Sequence, residues 1–557
     1  MWLDWTLFVK IKVTIKDRVI FIKNDCLGVM LDCSRNAVFT VDFVKDYIDK
    51  LSLMGYNTLM LYTEDTYEIP SEPFFGYMRG RYSVDELKEI VRYGEEKGIE
   101  LIPCIQTLAH VNQIFRWPEY HKIRDIEDVM LIDDDGTYAL IEEMFKVSRE
   151  VFKSDRIHIG FDEAFRVGLG NYLFKHGYEN RFEMLSRHLK RVCDLASKYG
   201  FRPMMWGDMF FRLANKGEYY IEDPSVITEE IAKTVPENCD IVYWDYYSTD
   251  VSRYDMMIKA SKRFGGETWF AGGAWMWTGF TPHNEVSIRR TAAALEACRE
   301  NSVGNVLITC WGDDGAECAG MSVLPTLFAA AEMYRGNTDM DLIKEKFGKM
   351  FDISFDDFMK LDYPSIVVEN YAALINPDKY MLYNDPFLGI YDGAVFESCS
   401  EAKYFAKHSK QLALLENHKE YGYMFKAART LCDLMEIKYH LGKRTRAAYL
   451  SKDKSKIEKV IREFILCEEL LDKFIVAFRE AWLYEKKGHG FDVQDIRLGG
   501  VKQRLISCRT RLEQYINGET DHIDELDEKF LKRGNGPLMI NKWSLCSPNV
   551  MSHQSNY

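Results

Sequence analysis

The sequence lacks the features that mark several large classes of protein. No apolar run reaches the roughly 20 residues that cross a bilayer, and no basic block offsets the formal net charge of -14. We therefore expect neither a membrane nor a nucleic acid as partner. The thirteen cysteines are scattered and include no Cys-x-x-Cys pair, which predicts free thiols in a reducing cytosol. No His-x-x-x-His spacing occurs, and we expect no metal ion or other cofactor.

The first residues also lack the pattern of a signal peptide. Apolar and polar residues alternate from Met1 to Ile15, and Lys10 and Lys12 interrupt any apolar core. Residues 1–26 are therefore predicted to form a short N-terminal β segment of a cytoplasmic protein.

What the chain has instead is an alternation of short apolar runs with helical patterns along residues 27–336. The helix after the second run begins with a capping box formed by Ser83 and Glu86. Eight strand–helix units over about 300 residues predict an α/β fold of the (β/α)8 TIM barrel type. The predicted strands are Gly28–Asp32, Asn57–Tyr62, Glu100–Ile105, Ile157–Phe161, Phe201–Trp206, Ile241–Trp244, Thr268–Ala271 and Asn305–Cys310.

An open, doubly wound sheet is the structural alternative. Carboxylates and tryptophans follow nearly every predicted strand. Only a closed barrel would bring all of them to one mouth, which favours the barrel.

The pattern changes after residue 336, where strand-like runs give way to helical spacing. Residues 337–533 are predicted to form an all-helical C-terminal domain, and 534–557 an extended tail. The loop Gly488–Asp492 either connects two helices or forms a hairpin turned toward the barrel mouth. Whether this domain mediates homodimerisation is left open.

Two adjacent carboxylates, Asp162 and Glu163, end the fourth predicted strand. The plain alternative is a helix-start pair, but the C-terminal end of a barrel strand is where catalytic residues are expected. A carboxyl held against indole rings stays protonated and can act as a general acid in glycoside hydrolysis. Neighbours in sequence approach a substrate from one side, so Asp162 does not fit the flanking nucleophile of most retaining enzymes. Substrate-assisted cleavage, in which the sugar's own 2-acetamido oxygen attacks, fits this pair better.

The stretch His158-Ile-Gly-Phe-Asp162-Glu163 resembles the His-x-Gly-x-Asp-Glu signature of family 20 glycoside hydrolases, the β-N-acetylhexosaminidases. The resemblance implies that Glu163 is the general acid and that Asp162 orients the acetamido group. It also implies that Arg35 binds the 3- and 4-hydroxyls of the sugar and that Asp313 binds the 4- and 6-hydroxyls. Trp311 is implied to pack against one face of the sugar. The helical C-terminal half is similar to the subgroup related to hexosaminidase D and the streptococcal enzymes.

The sequence departs from the family pattern at three points. Asp313 stands where many members have a longer Glu, and the N-terminal domain is reduced to a stub. No Tyr-x-Asp motif follows the seventh strand, so we assign the acetamido hydrogen bond to Tyr246, after the sixth. The remaining predicted pocket residues lie at other strand ends and are His110, Trp206, Trp244 and Trp275. His110 either binds substrate or supports the acids, and either Trp275 or Trp277 faces the sugar.

These observations predict a retaining exo-β-N-acetylhexosaminidase that removes terminal, non-reducing GlcNAc or GalNAc from glycans. The alternatives are a barrel glycosidase with an enzyme nucleophile and a non-catalytic carbohydrate-binding protein.

Overall fold

A computed structural model describes residues 25–366, 377–394 and 400–531 of the chain. Residues 1–24 of the predicted N-terminal segment and the whole predicted tail lie outside the described residues. The strands are β1 Leu27–Asp32, β2 Thr58–Tyr62, β3 Glu100–Cys104, β4 Arg124–Ile126, β5 Val129–Met130, β6 Arg156–His158, β7 Arg202–Trp206, β8 Asp240–Trp244, β9 Thr268–Gly273 and β10 Val306–Cys310.

Eight of these strands close into a parallel barrel in the order β1, β2, β3, β6, β7, β8, β9, β10. The closing pair is β10 with β1, from Leu27 opposite Val306 to Leu31 opposite Cys310. This pairing confirms the (β/α)8 barrel and excludes the open sheet, because an open sheet has no bond between its first and last strands.

Helices surround the barrel and then form a separate helical region after it. Those of the barrel are α1 Val41–Met54, α2 Val84–Glu96, α3 Asp135–Val151, α4 Asn171–His176, α5 Arg181–Lys198, α6 Asp208–Ala214, α7 Glu229–Ala232, α8 Val251–Ser261, α9 Asn284–Glu300 and α10 Leu324–Tyr334. Those that follow are α11 Met340–Phe351, α12 Phe355–Phe358, α13 Pro377–Tyr383, α14 Ser400–Ala413, α15 Gly422–Lys438, α16 Leu441–Leu450, α17 Lys454–Glu485, α18 Phe491–Asn517 and α19 Asp524–Asp527. Short 3-10 turns lie at Ile114–Arg116, Pro118–Ile123, Pro224–Val226, Lys262–Phe264, Gly320–Val323, Met359–Ser365 and Asp392–Ala394.

Local sequence explains several of these boundaries. The Ser83 side chain accepts from the Glu86 N–H and the Glu86 side chain accepts from the Ser83 N–H, so the predicted capping box is present. Helix α1 ends at Met54 and is capped by Gly55, whose φ of 82° is a left-handed conformation that favours glycine.

One prediction about the strands was wrong, and one small sheet was missed. The fourth barrel strand was predicted to run to Phe161 but ends at His158, because Gly160 and Phe161 adopt φ values of 77° and 80° that break the pleat. The two-stranded antiparallel sheet of β4 and β5 was not predicted. Its strands are three and two residues long, too short to show a period.

The hairpin of α17 and α18 reaches the C-terminal side of the barrel. Of the two alternatives for Gly488–Asp492, this is the hairpin turned toward the barrel. The Lys487 N–H donates to the Val38 carbonyl at 2.8 Å, and the Asn36 amide donates to the Gly490 carbonyl at 2.9 Å. The helical region therefore packs against the loop that follows β1.

We expect a Gly94→Ala substitution to lower the thermal unfolding midpoint. Gly94 lies in α2, and an added Cβ would lie 2.1 Å from Leu101 Cδ2, an overpacking that costs about 1–3 kcal/mol. Gly499→Ala in α18 is the matched control, because a Cβ there meets nothing within 4 Å and alanine favours a helix by up to about 1 kcal/mol. Scanning calorimetry should show opposite shifts, and an equal rise in both variants would contradict this packing.

Candidate active site

A strained turn after β6 presents two acids at the barrel mouth. Phe161 and Glu163 both adopt left-handed φ values, 80° and 51°, a conformation that costs about 1–2 kcal/mol for most residues. Gly160 is required here, because its φ is 77° and an added Cβ would lie 1.8 Å from Gln106 Oε1. The turn thus places Asp162 inward and leaves Glu163 about half exposed.

Asp162 is buried but remains ionised. Gln106 Nε2 donates to its Oδ1 at 3.1 Å, and His110 Nε2 lies 3.1 Å from its Oδ2. Burial favours the neutral carboxyl, but His110, Arg35 and Gln106 together lower the pKa of Asp162 to about 2. Asp162 is therefore a fixed negative charge at neutral pH.

His110 is the cation of this pair. Burial opposes a charged imidazole, yet the Asp162 carboxylate raises the pKa of His110 to about 9. Its Nε2 also lies 3.7 Å from Glu163 Oε2. The structure therefore places His110 against both acids.

Glu163 has the opposite electrostatic character. Partial burial and then the charge of Asp162 raise the pKa of the Glu163 carboxyl above its ordinary value. Its backbone N–H donates to Asp208 Oδ2 at 3.0 Å, which fixes the turn. Burial followed by the charge of Asp162 raises the pKa of Asp208 to about 7.

Arg35 connects acids from three strand ends. Its Nε lies 2.9 Å from Glu64 Oε1, and its Nη1 lies 3.2 Å from both Asp32 Oδ2 and Asp313 Oδ1. The guanidinium carbon also lies 5.2 Å from the Trp311 ring centroid. Arg35 and the half-exposed Asp313 thus sit together beside an indole, where they can bind hydroxyl groups.

Aromatic rings form the rest of the wall. Ring centroids of Trp206 and Trp311 lie 6.0 Å apart, and those of Trp244 and Tyr246 lie 5.2 Å apart. The Trp275 indole donates to the Tyr246 carbonyl at 3.1 Å. Trp206, Trp275, Trp311 and Tyr246 belong to one buried cluster, against which the partly buried Trp244 and Trp277 pack. The barrel thus brings the predicted pocket residues together.

His158 lies beneath this wall rather than at the mouth. Burial lowers the pKa of His158 to about 4, so it is neutral, and its Nδ1 accepts the Gly160 N–H at 3.1 Å. This agrees with a structural histidine that supports the turn.

Sequence reasoning missed two residues of the site. Gln106 Nε2 bridges the Asp162 carboxylate and the Tyr62 hydroxyl, at 3.1 and 2.7 Å, and Tyr62 lies under the Arg35 guanidinium. Tyr62 ends β2 and Gln106 follows β3 by two residues. The strand-end rule that found the acids could therefore have found both.

Across the residues that the structure describes, no group of three or more His, Cys, Asp or Glu side chains is arranged to hold a metal ion. Within the same ranges, no helix is long and apolar enough to cross a membrane.

The Asp162–His110 pair predicts a pH-dependent stability difference. The pKa of His110 is raised from 6.5 to about 9, and the pKa of Asp162 is lowered from 3.8 to about 2. The ion pair therefore contributes its full stabilisation of the folded state between pH 4 and 6.5. The contribution is lost as pH rises through 9 or falls through 2. In His110→Asn, where asparagine tolerates the φ of 58°, the deficit in unfolding midpoint should be largest near pH 5 and shrink by pH 10.

The exposed His121 offers a matched control. His121→Asn should change the midpoint little at any pH. A His110→Asn deficit that stays constant from pH 5 to 10 would contradict the ion pair.

Comparison with known proteins gives a consistent picture. The model of the "Glycosyl hydrolase family 20, catalytic domain" matches residues 27–254, and that of the "Glycoside Hydrolase 20C C-terminal domain" matches residues 356–536. Among curated relatives, hexosaminidase D of Homo sapiens is 23% identical over 42% of this chain and 48% of its own length. Beta-hexosaminidase 3 of Arabidopsis thaliana is 23% identical over 34% of this chain and 38% of its own. The chain thus spans less than half the length of either relative.

Solved structures with limited overall similarity include two β-N-acetylhexosaminidases. That of Streptomyces coelicolor is 20% identical, with 60% of this chain and 69% of that chain covered and a TM-score of 0.44. That of Bacteroides fragilis is 18% identical, with 59% and 70% covered and a TM-score of 0.45. Since the barrel and the helical region each match a model of the same family, the chain belongs to glycoside hydrolase family 20.

Proposed function

We propose that this protein is a retaining exo-β-N-acetylhexosaminidase that uses the 2-acetamido group of its substrate as nucleophile. The observation that carries the proposal is the inequality of the adjacent acids: the pKa of Asp162 is lowered and that of Glu163 is raised within one turn. Such a pair supplies a permanent charge and a proton donor on the same side of a bound sugar.

In the first step, Glu163 gives its proton to the glycosidic oxygen as the bond from that oxygen to C1 breaks. The acetamido carbonyl oxygen forms the new bond to C1, which gives an oxazolinium ion. Positive charge develops on the acetamido nitrogen, and the Asp162 carboxylate orients and stabilises this N–H. Tyr246 is proposed to donate a hydrogen bond to the attacking oxygen.

In the second step, water attacks C1 from the side that the leaving group vacated. The Glu163 carboxylate accepts a proton from this water, and the C1–acetamido bond breaks. Two inversions at C1 give net retention of the β configuration.

Substrate binding is assigned to the charged and aromatic groups around the acids. Arg35 and Asp313 would bind ring hydroxyls, while Trp311 supports a sugar face. The neighbouring indoles Trp206, Trp244 and Trp275 would enclose the acetamido group. His110 would hold Asp162 ionised rather than transfer a proton.

An enzyme nucleophile would need a second carboxylate about 5 Å from the acid, on the opposite side of the bond. The nearby acids have other partners: Asp208 accepts the Glu163 N–H, and Glu64 pairs with Arg35. These contacts favour the substrate-assisted route.

The cysteines support a cytosolic location, which we include in the proposal. Those in the described part of the chain are free and buried, as expected of thiols kept in a reducing compartment.

Paired aryl glycosides test the proposed nucleophile. We expect hydrolysis of 4-nitrophenyl β-N-acetylglucosaminide and at least about 10⁵-fold lower kcat/KM for the matching β-glucoside, because the intramolecular nucleophile is absent. Comparable rates on both would contradict the acetamido mechanism. Binding of GlcNAc without turnover of either glycoside would identify a carbohydrate-binding protein instead.

Leaving-group dependence tests Glu163 as the acid. In Glu163→Gln, kcat for a chitobioside with a poor leaving group should fall by about 10²–10⁴, since general acid help is lost. A 2,4-dinitrophenyl glycoside, which needs no protonation, should lose far less in the same variant. Glu183→Gln, in the first turn of α5, is the matched control. An equal loss on both substrates in Glu163→Gln would assign the acid role elsewhere.

A further inference from the structure

The loop that follows β10 makes an unusual turn immediately after Asp313. Asp314, Gly315 and Ala316 are three successive residues with positive φ, at 53°, 133° and 53°. The Ala316 N–H closes the turn onto the Gly312 carbonyl at 2.7 Å. Left-handed aspartate and alanine are disfavoured, so contacts outside the turn must hold it in this form.

The front of the turn faces the barrel mouth. The Gly312 N–H donates to Asp32 Oδ2 at 2.9 Å, and Asp313 Oδ1 lies 3.2 Å from Arg35 Nη1. These contacts involve only barrel residues. They place the Asp313 carboxylate beside the site but leave its side chain about half exposed.

The back of the turn is held by the helical region. Arg497 and Lys379 donate to the Asp314 carbonyl at 2.6 and 3.2 Å, and Gln494 donates to the Gly315 carbonyl at 2.8 Å. Lys486 donates to the carbonyls of Ala316 and Cys318, each at 2.7 Å. Side chains from α13, from α18 and from the loop between α17 and α18 thus donate hydrogen bonds to four carbonyls of the loop after β10.

Charge pairing reinforces this attachment. The buried Glu317 carboxylate lies 2.8 Å from Lys379 Nζ and 3.2 Å from Arg497 Nη1, and Asp314 lies within 3.4 Å of the same two cations. A Cβ on Gly315 would lie 2.5 Å from Arg497 Nη1. The helical region therefore packs directly against the backbone of the turn, and a side chain at position 315 would not fit between them.

We propose that the helical C-terminal domain is a positioning device for the active site, in which Gln494, Arg497, Lys379 and Lys486 clamp the turn and thereby set the place of Asp313. Asp313 selects the sugar through its hydroxyls, so this clamp determines specificity without touching the substrate. The specificity part rests on the proposed function, whereas the clamp itself rests on the geometry alone.

Hydrogen–deuterium exchange tests the clamp without any substrate. Gln494→Met keeps the volume of a buried, neutral side chain and removes its hydrogen bond to Gly315. Exchange in the peptide covering residues 312–318 should quicken by roughly tenfold, as expected when the Gly315 carbonyl loses the closer of its two donors and keeps only the Asn36 amide at 3.3 Å. Lys502→Met is the matched control, because Lys502 lies on the same helix but pairs with the exposed Asp472. Unchanged exchange in Gln494→Met would overturn the clamp.

Kinetics then separate positioning from general stability. The wild type should prefer 4-nitrophenyl β-GlcNAc over its 4-deoxy and 6-deoxy analogues by about 10- to 100-fold in kcat/KM, the value of a hydroxyl bonded to a charged group. In Gln494→Met this preference should be about tenfold smaller than in the wild type. When Asp313→Ala is already present, adding Gln494→Met should not change the preference further. Arg497→Lys, which keeps the charge, should retain more of the preference than Arg497→Met.

A preference that is unchanged in Gln494→Met, or that falls additively with Asp313→Ala, would overturn the specificity role. If the wild type cleaves no acetamido glycoside, the proposed function fails. The exchange measurement still decides the clamp in that case.

Discussion

The ionised Asp162 carboxylate is the constraint on which the rest of the site depends. A buried charge costs several kcal/mol unless it is paired and hydrogen-bonded, and Asp162 is 7% exposed. Its pairing comes from His110 and Gln106, both on the segment after β3, while the acid itself follows β6. Because β3 and β6 are neighbours in the barrel, the pairing of these two strands places the charge beside its partners. Partial burial and then this same charge raise the pKa of Glu163, so the adjacency of the two acids adds to the difference between them.

Backbone strain accompanies this arrangement. Glu64, His110, Phe161 and Glu163 all have positive φ and all follow barrel strands. Each such residue costs about 1–3 kcal/mol and persists only where surrounding contacts fix it. Ion pairs and the Asp208 carboxylate fix the turn after β6, whereas the helical domain fixes the turn after β10. The helical domain thereby becomes part of the active-site structure rather than an appendage.

Much of the fold followed from the sequence, because parallel barrel strands are apolar runs that end in polar residues. The strand positions were predicted on this basis, as was the set of strand-end residues that gathers at the mouth. The hairpin turned toward the barrel was one of two alternatives for the loop Gly488–Asp492. The end of β6 was missed because the left-handed conformations of Gly160 and Phe161 leave no periodic signal in the sequence. Tyr62 and Gln106 also stand at strand ends, but they were missed because our predictions at those positions relied on charged side chains and indoles. The contacts of Gln494 with Gly315 join residues 179 positions apart, which no local pattern reveals.

The central claim is that the substrate's acetamido group, oriented by Asp162, is the nucleophile. Calorimetric titration with a GlcNAc-derived thiazoline, a stable mimic of the oxazolinium ion, tests this claim most directly. The account predicts binding at least about 10²-fold tighter than that of GlcNAc, as expected for a mimic of a state that the site stabilises. Binding no tighter than that of GlcNAc would contradict it.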